Sequence, residues 1–183
     1  VDWDTTQNLM IEGDNLEVLK LLQKSYAGKV KLIYIDPPYN TGKDFVYPDN
    51  FRDNIQNYLE LTGQMDGEGR KLTSNTEASG RFHTAWLNMM YPRLKVARSL
   101  LRPDGLFVSS IDDGEVANLK HLLDGVFGEE NFVGQICVVS NPRGRQSEAI
   151  ATTHEYLLCY SRDLECTSLR GQPLTEDQLE EFK

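Results

Sequence analysis

Two consecutive prolines set the strongest constraint on how this chain can fold. They follow Val30-Lys31-Leu32-Ile33-Tyr34-Ile35, a run rich in β-branched and aromatic residues with little alternation. Such a run predicts a strand over residues 30–35, buried on both faces of a parallel sheet. Pro37 and Pro38 cannot extend a central strand, so the strand must stop at Asp36. A carboxylate, a rigid proline pair and the Tyr39 ring are thereby delivered together to one edge of a sheet. With no N–H to join a ladder, Pro37 and Pro38 are expected to keep their carbonyls free for a ligand. The combination reads as a pocket that accepts both hydrogens of one planar amino group while an aromatic ring stacks on it.

The flanking patterns supply the rest of an α/β sheet. Leu9-Met10-Ile11 reads as a short strand running into Gly13-Asp14. Leu16, Val18, Leu19 and Leu22 recur at helical spacing up to Tyr26, with Asp14 and Glu17 placed as a capping box. Residues 40–83 lack sustained periodicity and are rich in Gly, Ser, Thr and Asn, a composition more often functional than merely connecting. A short helix over residues 53–62 is expected within them. Trp86, Met90, Leu94, Ala97 and Leu101 form a helical stripe, which Pro92 should kink or restart. Arg102-Pro103-Asp104-Gly105 reads as a turn, and residues 106–111 as the next buried strand. Asp112 or Asp113 can cap a helix that ends before Gly128. Residues 133–139 and 155–160 read as two strands joined by the polar segment 141–153. Strands alternating with helices predict a parallel or mixed sheet, and in such sheets ligands bind beyond the carboxyl ends of the strands.

Composition narrows the function classes. The chain of 183 residues is acidic, with a formal charge of −9, which counts against a nucleic-acid binder. The charge is uneven, however. Arg81, Arg93, Lys95, Arg98 and Arg102 are opposed only by Asp104 across residues 81–110. No apolar run approaches the roughly 20 residues needed to cross a bilayer, so no membrane contact and a cytoplasmic location are expected. Cys137, Cys159 and Cys166 have no metal spacing and read as small buried hydrophobes in a reducing compartment. His83, His121 and His154 are scattered, and no metal site is expected.

Asp36-Pro37-Pro38-Tyr39-Asn40-Thr41-Gly42 resembles the catalytic motif of amino-group DNA methyltransferases that use S-adenosylmethionine. Within that family it most resembles the β-class N6-adenine enzymes, in particular the modification subunit of type III restriction–modification systems. Gly13-Asp14 upstream and Leu101-Arg102-Pro103-Asp104-Gly105-Leu106-Phe107-Val108 downstream agree, so the resemblance extends to about residue 162. It implies a Rossmann-like methyltransferase sheet, S-adenosylmethionine as cofactor and DNA as substrate. A restriction subunit and a second copy of the chain are the further partners it suggests. Carried onto this sequence, Asp36, Pro37, Pro38 and Tyr39 are the catalytic group. The Asp36 carboxylate and the Pro37 carbonyl would accept the two N6 hydrogens of a flipped adenine stacked on Tyr39. Asp14 and Asp36 are the cofactor candidates, although Asp14 serves equally as the cap of the helix that follows it. Asn40, Thr41, Arg143 and Arg145 are the candidates for nucleic-acid contact. For the two arginines, a solvated hairpin tip is the stronger alternative.

One part of the family's pattern is missing. The β-class enzymes carry a Phe-x-Gly-x-Gly-like segment, C-terminal to the catalytic motif, where backbone approaches the cofactor's methionine part. This sequence has none. The chain therefore reads as a catalytic region over residues 1–162, followed by the start of a target-recognition region over residues 163–183. A fragment of that kind is expected to bind cofactor weakly or not at all by itself. The alternatives are a non-catalytic nucleic-acid-binding or assembly fragment, or a methyltransferase acting on cytosine N4 or on RNA.

Overall fold

The computed structural model describes residues 5–40, 81–140 and 153–169. Helix α1 (Asn15–Tyr26) starts where the Asp14 carboxylate accepts from the Glu17 N–H at 3.0 Å. Only half of the expected capping box forms, because the Glu17 carboxylate takes the Lys20 ammonium at 2.7 Å instead. Strand β1 (Val30–Ile35) follows. Helix α2 (Arg81–Leu100) runs directly into strand β2 (Leu101–Ile111), and helix α3 (Val116–Phe127) ends at Gly128, whose φ of 95° suits glycine. Strands β3 (Phe132–Val139) and β4 (His154–Ser161) pair antiparallel. The predicted short helix at 53–62, the loop 41–80 and the segment 141–152 lie outside the described residues.

The four strands form one mixed sheet in the order β1-β2-β4-β3. β1 lies parallel to β2, as expected for two strands joined through a helix, and β4 lies antiparallel to β2. Helices α2 and α3 cover one face. There Trp86, Met90 and Leu94 of α2 meet Phe107 and Ile111 of β2, Leu119, Leu123 and Phe127 of α3, and Leu158 and Tyr160 of β4. Trp86, Met90, Leu94 and Ala97 of α2 are all buried, as their spacing predicts, and Leu101, the fifth residue of the stripe, is buried as the first residue of β2.

Several expectations need correction. Leu9, Met10 and Ile11 are exposed and belong to no strand, because among the described residues no neighbouring strand pairs with them. Among the described residues β1 is an edge strand, and its apolar run is not buried on both faces. Leu32 and Tyr34 are each 58% exposed, because they point to the face opposite α2 and α3. Pro92 neither breaks nor restarts α2. Arg93 turns its guanidinium back onto the Met89 carbonyl at 2.6 Å, beside the point where proline removes a backbone donor. The Arg102–Gly105 turn is absorbed into β2 as a bulge, between the pairs Val30–Leu101 and Leu32–Leu106. A Cβ on Gly105 would lie 2.9 Å from the Arg102 carbonyl oxygen and 3.0 Å from that of Val30, so the bulge closes only around glycine. Cys137 and Cys166 are exposed, since edge strand β3 and the turn after β4 leave them at the surface, and only Cys159 is partly buried. Among the described residues no helix is long and apolar enough to cross a membrane.

Candidate active site

Strand register builds the site. Ile35 pairs with Ser109, so the next residues, Asp36 and Ser110, come side by side at the carboxyl ends of β1 and β2. Both lie on the face that α2 and α3 leave open, because strand side chains alternate. The Ser110 hydroxyl donates to Asp36 Oδ1 at 2.5 Å and also lies 3.4 Å from the Ile35 carbonyl. Asp36 is exposed while Ser110 is buried, so a fixed hydroxyl orients a carboxylate that solvent or a ligand can reach.

The proline pair then turns the chain out of the sheet. Pro37 is buried, and among the described residues no donor reaches its carbonyl. The Pro38 carbonyl is not free, contrary to expectation, because the Trp86 indole N–H donates to it at 2.7 Å. The indole is fully buried in the core, so this bond bolts the loop to α2. Tyr39 donates its hydroxyl to Glu155 Oε2 at 3.2 Å, across to β4. Burial of the phenol pushes its pKa up to about 12; the Ser110 hydroxyl pulls the other way, and the Asp36 and Glu155 carboxylates add to the rise. Tyr39 is therefore a neutral ring, held at its far end. Beside it, Tyr156 donates to Asp113 Oδ1 at 2.9 Å and its hydroxyl lies 2.9 Å from His154 Nε2, which extends the polar rim along β4.

The other predicted residues fall as follows. Asn40 is buried, has a left-handed φ of 59°, and donates through Nδ2 to Glu115 Oε1 at 2.6 Å. Asp14 caps α1 and is exposed; Asn15 beside it accepts from Arg93 Nε at 2.8 Å, which ties α1 to α2. Thr41, Arg143 and Arg145 lie outside the described residues. Sequence reasoning missed Ser110, Glu155, Glu115 and His83, and took Trp86 for core alone. The serine pair within the otherwise apolar stretch of residues 106–111 was the available signal for Ser110.

An exposed carboxylate, an unengaged carbonyl and a neutral aromatic ring, set at the end of a parallel strand pair, can receive a planar amino group and orient it. The sequence matches the DNA methylase family (N6_N4_Mtase) over residues 30–181. The chain belongs to the DNA methylase family. The chain is 44% identical over 178 residues to the type III restriction–modification enzyme EcoPI Mod subunit of Escherichia phage P1, covering 96% of the chain and 27% of that protein. It is 45% identical over 161 residues to the EcoP15I Mod subunit of Escherichia coli, covering 87% of the chain and 25% of the relative. The chain thus spans about a quarter of the length of these relatives. Its fold is that of a DNA methyltransferase. The M1.HpyAVI–SAM complex superposes with a TM-score of 0.50 at 17% identity, covering 91% of this chain and 60% of that one.

Proposed function

We propose that this DNA methylase is the catalytic region of a site-specific adenine-N6 methyltransferase that uses S-adenosylmethionine within a restriction–modification system. The observation that carries the reading is the exposed Asp36 carboxylate, oriented by Ser110 beside the neutral Tyr39 ring. Adenine inside a duplex is out of reach of such a site, so the base must be flipped, at a cost of a few kcal/mol. Stacking on Tyr39 returns about 1–3 kcal/mol. Asp36 Oδ2 and the Pro37 carbonyl each accept one N6 hydrogen. These bonds draw the nitrogen toward a tetrahedral shape and aim its lone pair at the methyl group. Positioning and electrostatic stabilisation supply the rate.

The cofactor, when bound, supplies a methyl group on a positively charged sulfur. A rim of Asp36, Glu155 and Asp113 with the Tyr39 ring suits such a cation, and Asp14 is assigned to the adenosine end of the cofactor. Among the described residues no glycine-rich turn follows a strand, and the remaining cofactor contacts are assigned elsewhere in the natural polypeptide. Arg143 and Arg145 are assigned to phosphate. A restriction subunit as partner, a homodimer and a cytoplasmic site of action belong to the same reading.

The test is transfer of labelled methyl from S-adenosylmethionine to mixed-sequence DNA by the full natural polypeptide, followed by digestion to nucleosides. Label in N6-methyladenine that disappears with Asp36→Ala is the expected result. Label in N4-methylcytosine would reassign the target base. Absence of label from the wild type would overturn the reading.

A further inference from the structure

Glu115 is the most deeply buried carboxylate among the described residues, 1% exposed, and the mechanism above gives it no part. It stands at the N-cap of α3, but its carboxylate accepts from no backbone N–H of that helix. The carboxylate points instead toward the loop that carries Asp36 and Tyr39. Oε1 meets Asn40 Nδ2 at 2.6 Å and His83 Nδ1 of α2 at 2.6 Å. Oε2 accepts from Asn118 Nδ2 at 2.8 Å. A carboxylate is costly to bury unless donors meet it, and here three do. The last turn of chain before it is also tied down, since Asp112 Oδ1 accepts from the Gly114 N–H at 2.9 Å.

Asn40 is the residue this arrangement serves. Its φ of 59° makes it the one non-glycine residue with positive φ among those described, in a region that most side chains avoid. Asn40 follows Tyr39 directly, so its backbone angle sets where the Tyr39 ring and the Pro37-Pro38 turn leave the sheet. Trp86 pins the loop at Pro38, and Glu115 pins it again two residues later. Tyr39 is held between the two pins, and Asp36 between the last paired residue of β1, Ile35, and the first pin.

We infer that Glu115 is a positioning residue for the catalytic loop, acting through Asn40 to hold Tyr39 and Asp36 in the geometry that methyl transfer needs. The inference rests on the functional reading above for its kinetic consequence, but not for its structural one. A buried glutamine keeps the shape of Glu115 but loses its charge, and one of the two oxygens that accept from Asn40, His83 and Asn118 becomes an N–H₂. Misplacement of catalytic groups by about an ångström costs on the order of 100-fold in rate.

The test uses the full natural polypeptide as wild type, Glu115→Gln, Asn40→Gly, the double variant, and Asp36→Ala as a control for the chemistry. Glycine adopts a φ near 59° without help from a side chain. Two things are read: methyl transfer, separated into kcat and the KM for S-adenosylmethionine, and hydrogen exchange of the amides at Tyr39 and Asn40 against those of β2. Glu115→Gln is expected to lower kcat about 10- to 100-fold with KM within about twofold. It should speed exchange at Tyr39 and Asn40 while leaving β2 unchanged. In the Asn40→Gly background the same substitution should have little further effect. Equal losses in both backgrounds, or unchanged loop exchange, would overturn the inference. Faster loop exchange in a polypeptide that methylates no base would leave Glu115 as the loop's anchor and sink the methyltransferase reading instead.

Discussion

Replacing Ser110 by alanine removes one hydroxyl from the centre of the site and little else. Ser110 is buried at 5% exposure and its Oγ lies 2.5 Å from Asp36 Oδ1, so the change deletes a hydrogen bond to a carboxylate without opening a large void. Bonds to charged groups contribute about 1.5–3 kcal/mol. Asp36 is exposed, so water takes over part of the lost bond and the stability loss should fall at or below the lower end. What water cannot replace is direction, because the freed carboxylate rotates away from the line on which it meets an amino hydrogen. A barrier higher by about 1.4–2.7 kcal/mol corresponds to kcat lower by about 10- to 100-fold. Label transfer to DNA under saturating and limiting substrate is the assay, with Ser110→Cys as a nearly isosteric, weaker donor. The expected order of kcat is wild type, cysteine, alanine, with KM values for DNA and cofactor within about twofold. A Ser110→Ala enzyme with wild-type kcat would refute the idea that this bond orients Asp36.

Other substitutions separate the remaining parts. Tyr39→Phe keeps the ring and loses the hydroxyl's interactions with Glu155 and Ser110, so activity should stay within a few-fold, whereas Tyr39→Ala loses a stacking platform of about 1–3 kcal/mol and should drop about 10- to 100-fold. Trp86→Phe leaves the Pro38 carbonyl without its donor and a gap in the core; melting followed by circular dichroism should show Tm lower by about 3–10 °C. Asp124 gives a pH test. Burial pushes its carboxyl up, but hydrogen bonds from Tyr160 and Lys120 outweigh that and hold it below the ordinary 3.8. A depressed carboxylate adds stability above its unfolded value and loses it as pH falls through the folded one. The urea midpoint of Asp124→Asn should therefore trail the wild type from about pH 5 upward and converge with it in acid. A gap that persists undiminished well below pH 4 would contradict this origin.

Local signals carried much of the fold. The α2 stripe, the Asp14 cap, the strand ahead of the proline pair and the Gly128 stop each depend on neighbours within a turn or two, and each stands where the spacing puts it. The failures share a different cause. An apolar run such as residues 30–35 tells that a strand forms, but not whether its neighbours lie on one side or both, and here Leu32 and Tyr34 face outward. Leu9, Met10 and Ile11 look like a strand for the same reason, yet a strand exists only with a partner. Pro92 removes a single helical bond, and α2 continues through it, packed on the core by Trp86, Met90 and Leu94 on either side.

The sequence alone determined which groups could do chemistry. Asp36, two prolines and Tyr39 at the end of a strand need no tertiary information to be singled out, because proline's missing N–H ends the strand wherever it lies. Tertiary structure decided which of those groups remain available and what holds them. It spent the Pro38 carbonyl on Trp86, set Ser110 against Asp36 across a strand register, and brought Glu115 to Asn40 from a helix far along the chain. Those partners are separated by dozens of residues and meet only when the sheet and both helices close. Hydrogen bonds reach about 3 Å, and no pattern of spacing along a chain encodes a distance of that kind across a fold.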